Sequence, residues 1–196
     1  MNLPSIELAL PEWLQDAAKS FPEILQTSES RMELAIELAG LNVSNGTGGP
    51  FGAVIVERST GRLIAPGINL VVSGNCSVAH AEMVAIMLAQ KSLGSFDLGG
   101  DGLPDCELVS STEPCAMCLG AVPWSGVRSL VCGARDEDAR AIGFDEGDKP
   151  SDWIACLEGR GIHVQQDVCR EAAAGVLRDY VASGGALYNS RGGESG

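Results

Sequence analysis

His80-Ala81-Glu82 and Pro114-Cys115-Ala116-Met117-Cys118, whose first cysteine falls thirty-five residues after the histidine, hold the side chains of this sequence best suited to chemistry. One imidazole and two thiolates are three ligands of the kind Zn²⁺ takes. Three protein ligands leave the fourth tetrahedral position to water, whereas a structural site fills all four. Zn²⁺ lowers the pKa of a bound water from 15.7 to about 7. Glu82, two residues from the histidine, is then a carboxylate placed to take that water's proton and pass it to a substrate. An sp² carbon bearing an amino group would become tetrahedral under attack and collapse with loss of ammonia.

Each of these residues also has a plainer explanation. A Cys-x-x-Cys pair by itself fits a redox dithiol or two buried cysteines, a single histidine fits a hydrogen-bonded core residue, and a glutamate fits a solvated surface. Their conjunction at two helix starts favours the metal reading, because cysteines three apart share one helix face and a helix N-terminus favours the thiolate. The only other histidine, His163, falls in a late strand and reads as structural.

The elements that must position these groups follow from periodicity. Ser30 with Glu33 has the form of a capping box, and Met32, Ala35, Ile36, Ala39 and Val43 follow at helical spacing. Residues 51–57 and 63–72 read as paired strands around Ser59-Thr60-Gly61. A buried helix over 80–92 puts His80 and Glu82 in its first turn. A strand over 107–111 leads into Pro114, expected at the first helical position, with both cysteines in the turn that follows. Strands at 129–134 and 162–166 alternate with helices at 138–142, 151–159 and beyond 170, which predicts an α/β fold whose later strands are parallel. Residues 1–27, broken by Pro4, Pro11 and Pro22, are expected to form an N-terminal arm, residues 28–183 the domain, and the glycine-rich 184–196 a flexible tail.

Composition narrows the function. The 196 residues, 45% hydrophobic, suit one domain with a sizeable core. Twenty-six acidic against 13 basic side chains give a net charge of −13, which opposes nucleic-acid binding, since that draws on clustered Lys and Arg. A small substrate is expected instead. Seven cysteines and a start without a basic, apolar leader point to a reducing, cytoplasmic compartment. No apolar run reaches the roughly 18 residues of a membrane span, so no membrane partner is expected.

The motifs together resemble the cytidine deaminase superfamily, and more closely its bacterial guanine deaminase branch. The likeness rests on Gly49-Pro50-Phe51-Gly52-Ala53, Asn69, Ala79-His80-Ala81-Glu82, Glu113 to Ala121, and Ala141-Ile142-Gly143-Phe144-Asp145-Glu146. The His-x-Glu and Pro-Cys-x-x-Cys pair is the general signature of zinc nucleobase deaminases. The other segments narrow the branch. The resemblance implies a three-layer α/β/α fold around a central five-stranded mixed sheet and one Zn²⁺ per chain on His80, Cys115 and Cys118. It implies conversion of guanine to xanthine and ammonia, with Glu82 as the proton shuttle, and a homodimer. Glu146 matches a second carboxylate that holds the departing amino group, although Asp136, Glu137, Asp138, Asp145, Glu146 and Asp148 read by composition alone as a solvated acidic face. Asn69 matches a base-recognising asparagine and Phe51 an aromatic residue against the ring. The Ala81 amide is expected to face the base, Trp124 to wall the pocket, and Tyr188 to contact the substrate from a closing C-terminal segment.

Rival functions remain at this point. Guanosine, cytosine or an amino-triazine would be deaminated by the same chemistry. A tRNA adenosine deaminase is opposed by the acidic charge and by Phe51. A zinc-stabilised binding module would need a fourth protein ligand, and the sequence offers none that convinces.

Overall fold

The computed structural model describes residue 3 and residues 7–189. Twelve elements run along these residues: α1 (Glu12–Ala17), α2 (Ser28–Ser44), β1 (Gly52–Glu57), β2 (Leu63–Ile68), α3 (Ala81–Leu93), β3 (Cys106–Thr112), α4 (Ala116–Ser125), β4 (Ser129–Ala134), α5 (Asp136–Ala141), α6 (Trp153–Glu158), β5 (His163–Gln165) and α7 (Arg170–Ala182). The strands form one mixed sheet in the order β2-β1-β3-β4-β5. β1 is antiparallel to β2 and β3, whereas β3, β4 and β5 are parallel. This is the three-layer fold around a five-stranded mixed sheet that the resemblance implies, and its later strands are parallel as the alternation of elements predicts.

Helices cover both faces, which explains why β1, β3 and β4 are buried almost throughout and why β1 and β4 are largely apolar rather than alternating. Ala53, Ile55, Leu108 and Leu130 point to one side and cluster with Ala81, Ala85 and Ala89 of α3 and Val122 of α4. Val54, Val56, Val109 and Val131 point to the other and cluster with Met32, Ala35 and Leu38 of α2. The alternation places the two α3 and α4 starts on the same face of the sheet.

Several boundaries differ from the expected ones for local reasons. The box at the head of α2 is made by Thr27 and Ser30, not Ser30 and Glu33: the Thr27 hydroxyl accepts from the Ser30 N–H, and the Ser30 hydroxyl accepts from the Thr27 N–H. Pro114 lies before the helix rather than at its first position, because Cys115 itself is the N-cap of α4, with extended backbone at φ −62° and ψ 170°. His80 caps α3 in the same way, so it stands just before the helix rather than in its first turn. The arm is no loose appendage over its described part. Leu14 and Leu25 are buried in the α2-side core, and the Trp13 indole N–H donates to Thr47 Oγ1 at 3.0 Å. Arg31 fastens the region, donating to the Leu25 carbonyl at 2.9 Å and pairing with buried Glu107 at 2.7 Å.

α3 lies close on the β2 edge because Gly67 has no side chain. A Cβ there would overlap the Ala81 carbonyl oxygen and sit 2.6 Å from the Ala85 nitrogen, a contact only a helix shift relieves. Since Ala81 sits between His80 and Glu82, that approach positions the site as well as the helix. Gly67→Ala is therefore expected to destabilise the fold by about 1–3 kcal/mol through overpacking, read as a lower Tm in thermal denaturation; an unchanged Tm contradicts this account of the α3 contact.

Candidate metal centre and active site

Two helix starts meet at one point. His80 and Cys115 are N-cap residues, Glu82 lies in the first turn of α3, and Cys118 lies in the first turn of α4. The ligating atoms of His80, Cys115 and Cys118 all lie within 4.8 Å of one another. His80 Nδ1 is 3.5 Å from Cys115 Sγ. For metal–sulfur and metal–nitrogen bonds of about 2.3 and 2.0–2.1 Å at a tetrahedral angle, the nitrogen–sulfur edge is about 3.6 Å. The donor set thus fits Zn²⁺ in type, number and spacing, and Nδ1 is the imidazole atom that faces it.

The electrostatics agree with that assignment. Hydrogen bonding with Cys118 holds the Cys115 thiol down to about 4; burial opposes this, and the His80 hydrogen bond reinforces it. Cys118 is pushed upward, first by its hydrogen bond with Cys115 and then by burial, so a cation is what would let both sulfurs be thiolates. Burial lowers the His80 pKa, yet the Cys115 hydrogen bond and the Glu82 charge outweigh it and the net direction is upward.

Glu82 is buried, and burial followed by the Cys115 thiolate raises its pKa. Glu146, also buried, is pushed up to about 8 by burial first, then by Cys115 and Glu82. The acidic run around Glu146 is therefore not uniformly a solvated face: Glu146 is turned inward, while the Ala116 N–H of α4 donates to its carbonyl at 2.9 Å.

Both carboxylates border a cavity of about 230 Å³ that His80, Cys115, Phe51 and Asn69 also line. That is below the roughly 300–1,000 Å³ of drug-sized ligand sites and suits a small molecule. Phe51 and Tyr188 both meet Phe144 edge-on, with ring centroids 5.0 and 5.2 Å away, forming an aromatic wall. Asn69 is buried, its Oδ1 accepting from the Val71 N–H at 3.2 Å. Beneath it Asn42 donates to the Gly49 and Asn69 carbonyls at 2.9 and 2.8 Å, tying the segments that carry Phe51 and Asn69 to one amide.

Tyr188 belongs to the C-terminal segment, which folds over the cavity of its own chain. Asn189 holds that segment in place, donating to the Gly143 carbonyl at 2.9 Å and accepting from the Asp145 N–H at 2.9 Å. A Cβ on Gly49 would overlap the Tyr188 hydroxyl. Residues 190–196 of the expected flexible tail lie outside the described residues.

Trp124 does not wall this cavity. It is 87% exposed and lines a separate hollow with Pro123, Trp153 and Leu157, because its place near the C-terminal end of α4 carries it away from the metal end. Ala81 is fully buried against the sheet and is not among the residues that line the cavity. Phe144, Asp145 and Asn189 line the cavity without having been singled out as site residues. For Phe144 and Asp145 the signal was adjacency to Glu146; Asn189 had none.

Comparison with known proteins agrees with the geometry. Residues 25–134 match the family profile described as the cytidine and deoxycytidylate deaminase zinc-binding region. The chain belongs to this zinc-binding deaminase family. It is 42% identical over 130 residues to guanine deaminase of Bacillus subtilis, covering 63% of this chain and 79% of that protein. A solved structure of guanine deaminase from Nitrosomonas europaea is 51% identical, with a TM-score of 0.87 over 91% of this chain and 97% of the other. A solved chain in complex with 2,6-diaminopurine, also 51% identical, superposes with a TM-score of 0.88 over 95% and 98%. Zinc is therefore the metal of the site. Cys118→Ser is expected to reduce zinc in the purified protein from about one per chain to a small fraction, measured by elemental analysis; stoichiometric zinc in this variant contradicts the ligand set.

Proposed function

We propose that this protein hydrolyses guanine to xanthine and ammonia, with His80, Cys115 and Cys118 as the zinc ligands. The observation that carries the reading is the pairing of two buried carboxylates, Glu82 and Glu146, on one small aromatic-walled cavity at the three-ligand metal cluster. The likeness to guanine deaminases, over 91% of the chain for one and 63% for another, supports it, as does the purine bound in a related structure.

When bound, Zn²⁺ supplies Lewis acidity that makes a water nucleophilic near neutral pH. Glu82 takes the proton of that water as it attacks C2 and delivers it to ring N3. Burial raises its pKa above the usual carboxylate range, which makes it a better base toward the water than an exposed glutamate. Glu146 holds the exocyclic amino group and gives it a proton as the C2–N bond breaks, a task for which a carboxyl held near 8 is well matched; the C2 hydroxyl gives up its own proton to Glu82 as the C=O forms, and exchange with solvent restores both carboxyls. Asn69, its Oδ1 engaged by Val71, keeps its amide NH₂ to donate to an acceptor on the purine. Phe51 packs against the ring. The Ala81 amide, at the start of α3, supplies a further donor at the positive end of that helix.

The domain doing this work is residues 28–183. The C-terminal residues 184–189 serve as its lid, with Tyr188 against the bound base. A homodimer is the assembly we assign. The protein acts on free bases rather than on nucleic acid, in keeping with its charge of −13; no helix is long and apolar enough to cross a membrane among the described residues, and a cytoplasmic setting fits seven cysteines that form no disulfide.

Ammonia release from guanine, guanosine, cytosine and an amino-triazine tests the reading, with guanine expected to give the highest kcat/KM; steeply salt-dependent tRNA binding with no turnover of guanine would overturn it. Glu82→Gln should keep its zinc and lose turnover by several orders of magnitude, and substantial residual kcat removes Glu82 from the proton path. For Glu146→Gln, the fall in kcat should exceed the rise in KM, an outcome that an unchanged kcat contradicts.

A further inference from the structure

The segment from Phe144 to Pro150, which carries Glu146, has no helix or strand of its own, so side-chain and backbone contacts must hold the carboxyl in place. We propose that Lys149 is the positioning residue that locks this segment onto the metal turn, an inference that rests on the guanine-deaminating role given above.

The Lys149 side chain is only 8% exposed. Its ammonium donates to the Pro114 carbonyl at 3.0 Å, one residue before the ligand Cys115. It pairs with Asp136 Oδ1 at 2.6 Å and stands 4.0 Å from Glu113 Oε2. It also lies 5.9 Å from the centroid of the Trp153 ring. A lysine sheltered to this degree is costly unless paired, and its pairing here spans the end of β3 and the start of α5.

Those partners are themselves fixed. Glu113 Oε2 accepts from the Asp136 N–H at 3.0 Å, Glu113 Oε1 accepts from the Gln166 amide, and Asp136 Oδ2 accepts from Arg140 at 2.5 Å. The ammonium therefore reads a rigid frame, not a mobile surface. With the Ala116 N–H bond to the Glu146 carbonyl, the segment is fastened to the metal turn at two points three residues apart. Losing one of them frees Glu146 to move relative to Cys115, and a misplacement of about 1 Å costs on the order of 10²-fold in rate.

The test uses zinc-loaded full-length protein, with kcat and KM for guanine and zinc content measured for wild type, Lys149→Met and Lys149→Arg. Lys149→Met is expected to lower kcat per zinc by about 10–100-fold, with KM changed less than about threefold and zinc near one per chain. Lys149→Arg, which keeps the charge and a donor, should recover part of the loss. A Lys149→Met protein with lower Tm but wild-type kcat per zinc would show a merely structural lysine and overturn the proposal. Should Lys149→Met fail to fold, Asp136→Asn decides: it keeps the lysine while weakening its anchor, a kcat fall of about threefold or more is expected, and an unchanged kcat overturns the proposal. Wild type that fails to turn over guanine would instead sink the reading of the preceding section.

Discussion

Two helices that begin at the same point on one face of a sheet are the constraint on which the rest depends. A tetrahedral ion needs its donors within a few ångströms, and donors thirty-five residues apart in the chain reach that separation only if α3 and α4 start together. The sheet order β2-β1-β3-β4 does this by passing α3 back across the sheet to β3, whose end opens directly into α4. The close approach at Gly67 and the alanine-rich face of α3 then fix how deep the histidine sits. Capping adds the finer adjustment: His80 and Cys115 are extended N-cap residues, which turns their side chains out of the helices and toward each other.

Charge gives the site its second constraint. Two sulfurs and the carboxyls of Glu82 and Glu146 gather in a sheltered space, where burial opposes ionisation of each. A divalent cation at the cluster is the counter-charge that lets thiolates persist there. Behind the metal turn a second set, Glu113 and Asp136 against Lys149 and Arg140, balances itself without metal. The protein thus separates charges that do chemistry from charges that hold the frame, although Glu146 and Asp136, one of each kind, lie within one acidic stretch of sequence.

That separation explains what was legible beforehand. The zinc ligands and Glu82 were readable because their chemistry requires particular side chains at short fixed spacings, and the parallel half of the sheet because strands alternate there with helices. The lysine frame was not readable: Lys149, Asp136 and Gln166 signal nothing singly, and only the fold brings them to Pro114. Trp124 misled because a large aromatic near a metal motif looks like a pocket wall, whereas the helical phase and its distance from the N-terminal end of α4 place it on another surface. Pro114 misled for a similar reason, since proline suits a helix's first position but suits equally the extended residue before a cap. Asn42, which ties two substrate-facing segments together, looked like any polar residue inside an apolar helix face.

Zinc K-edge X-ray absorption on the purified protein tests the central claim most directly. The account predicts a shell of two sulfurs at about 2.3 Å, one imidazole nitrogen at about 2.0–2.1 Å and one further light atom from solvent. A shell with three or more sulfurs, or guanine turnover by zinc-free protein, would contradict it.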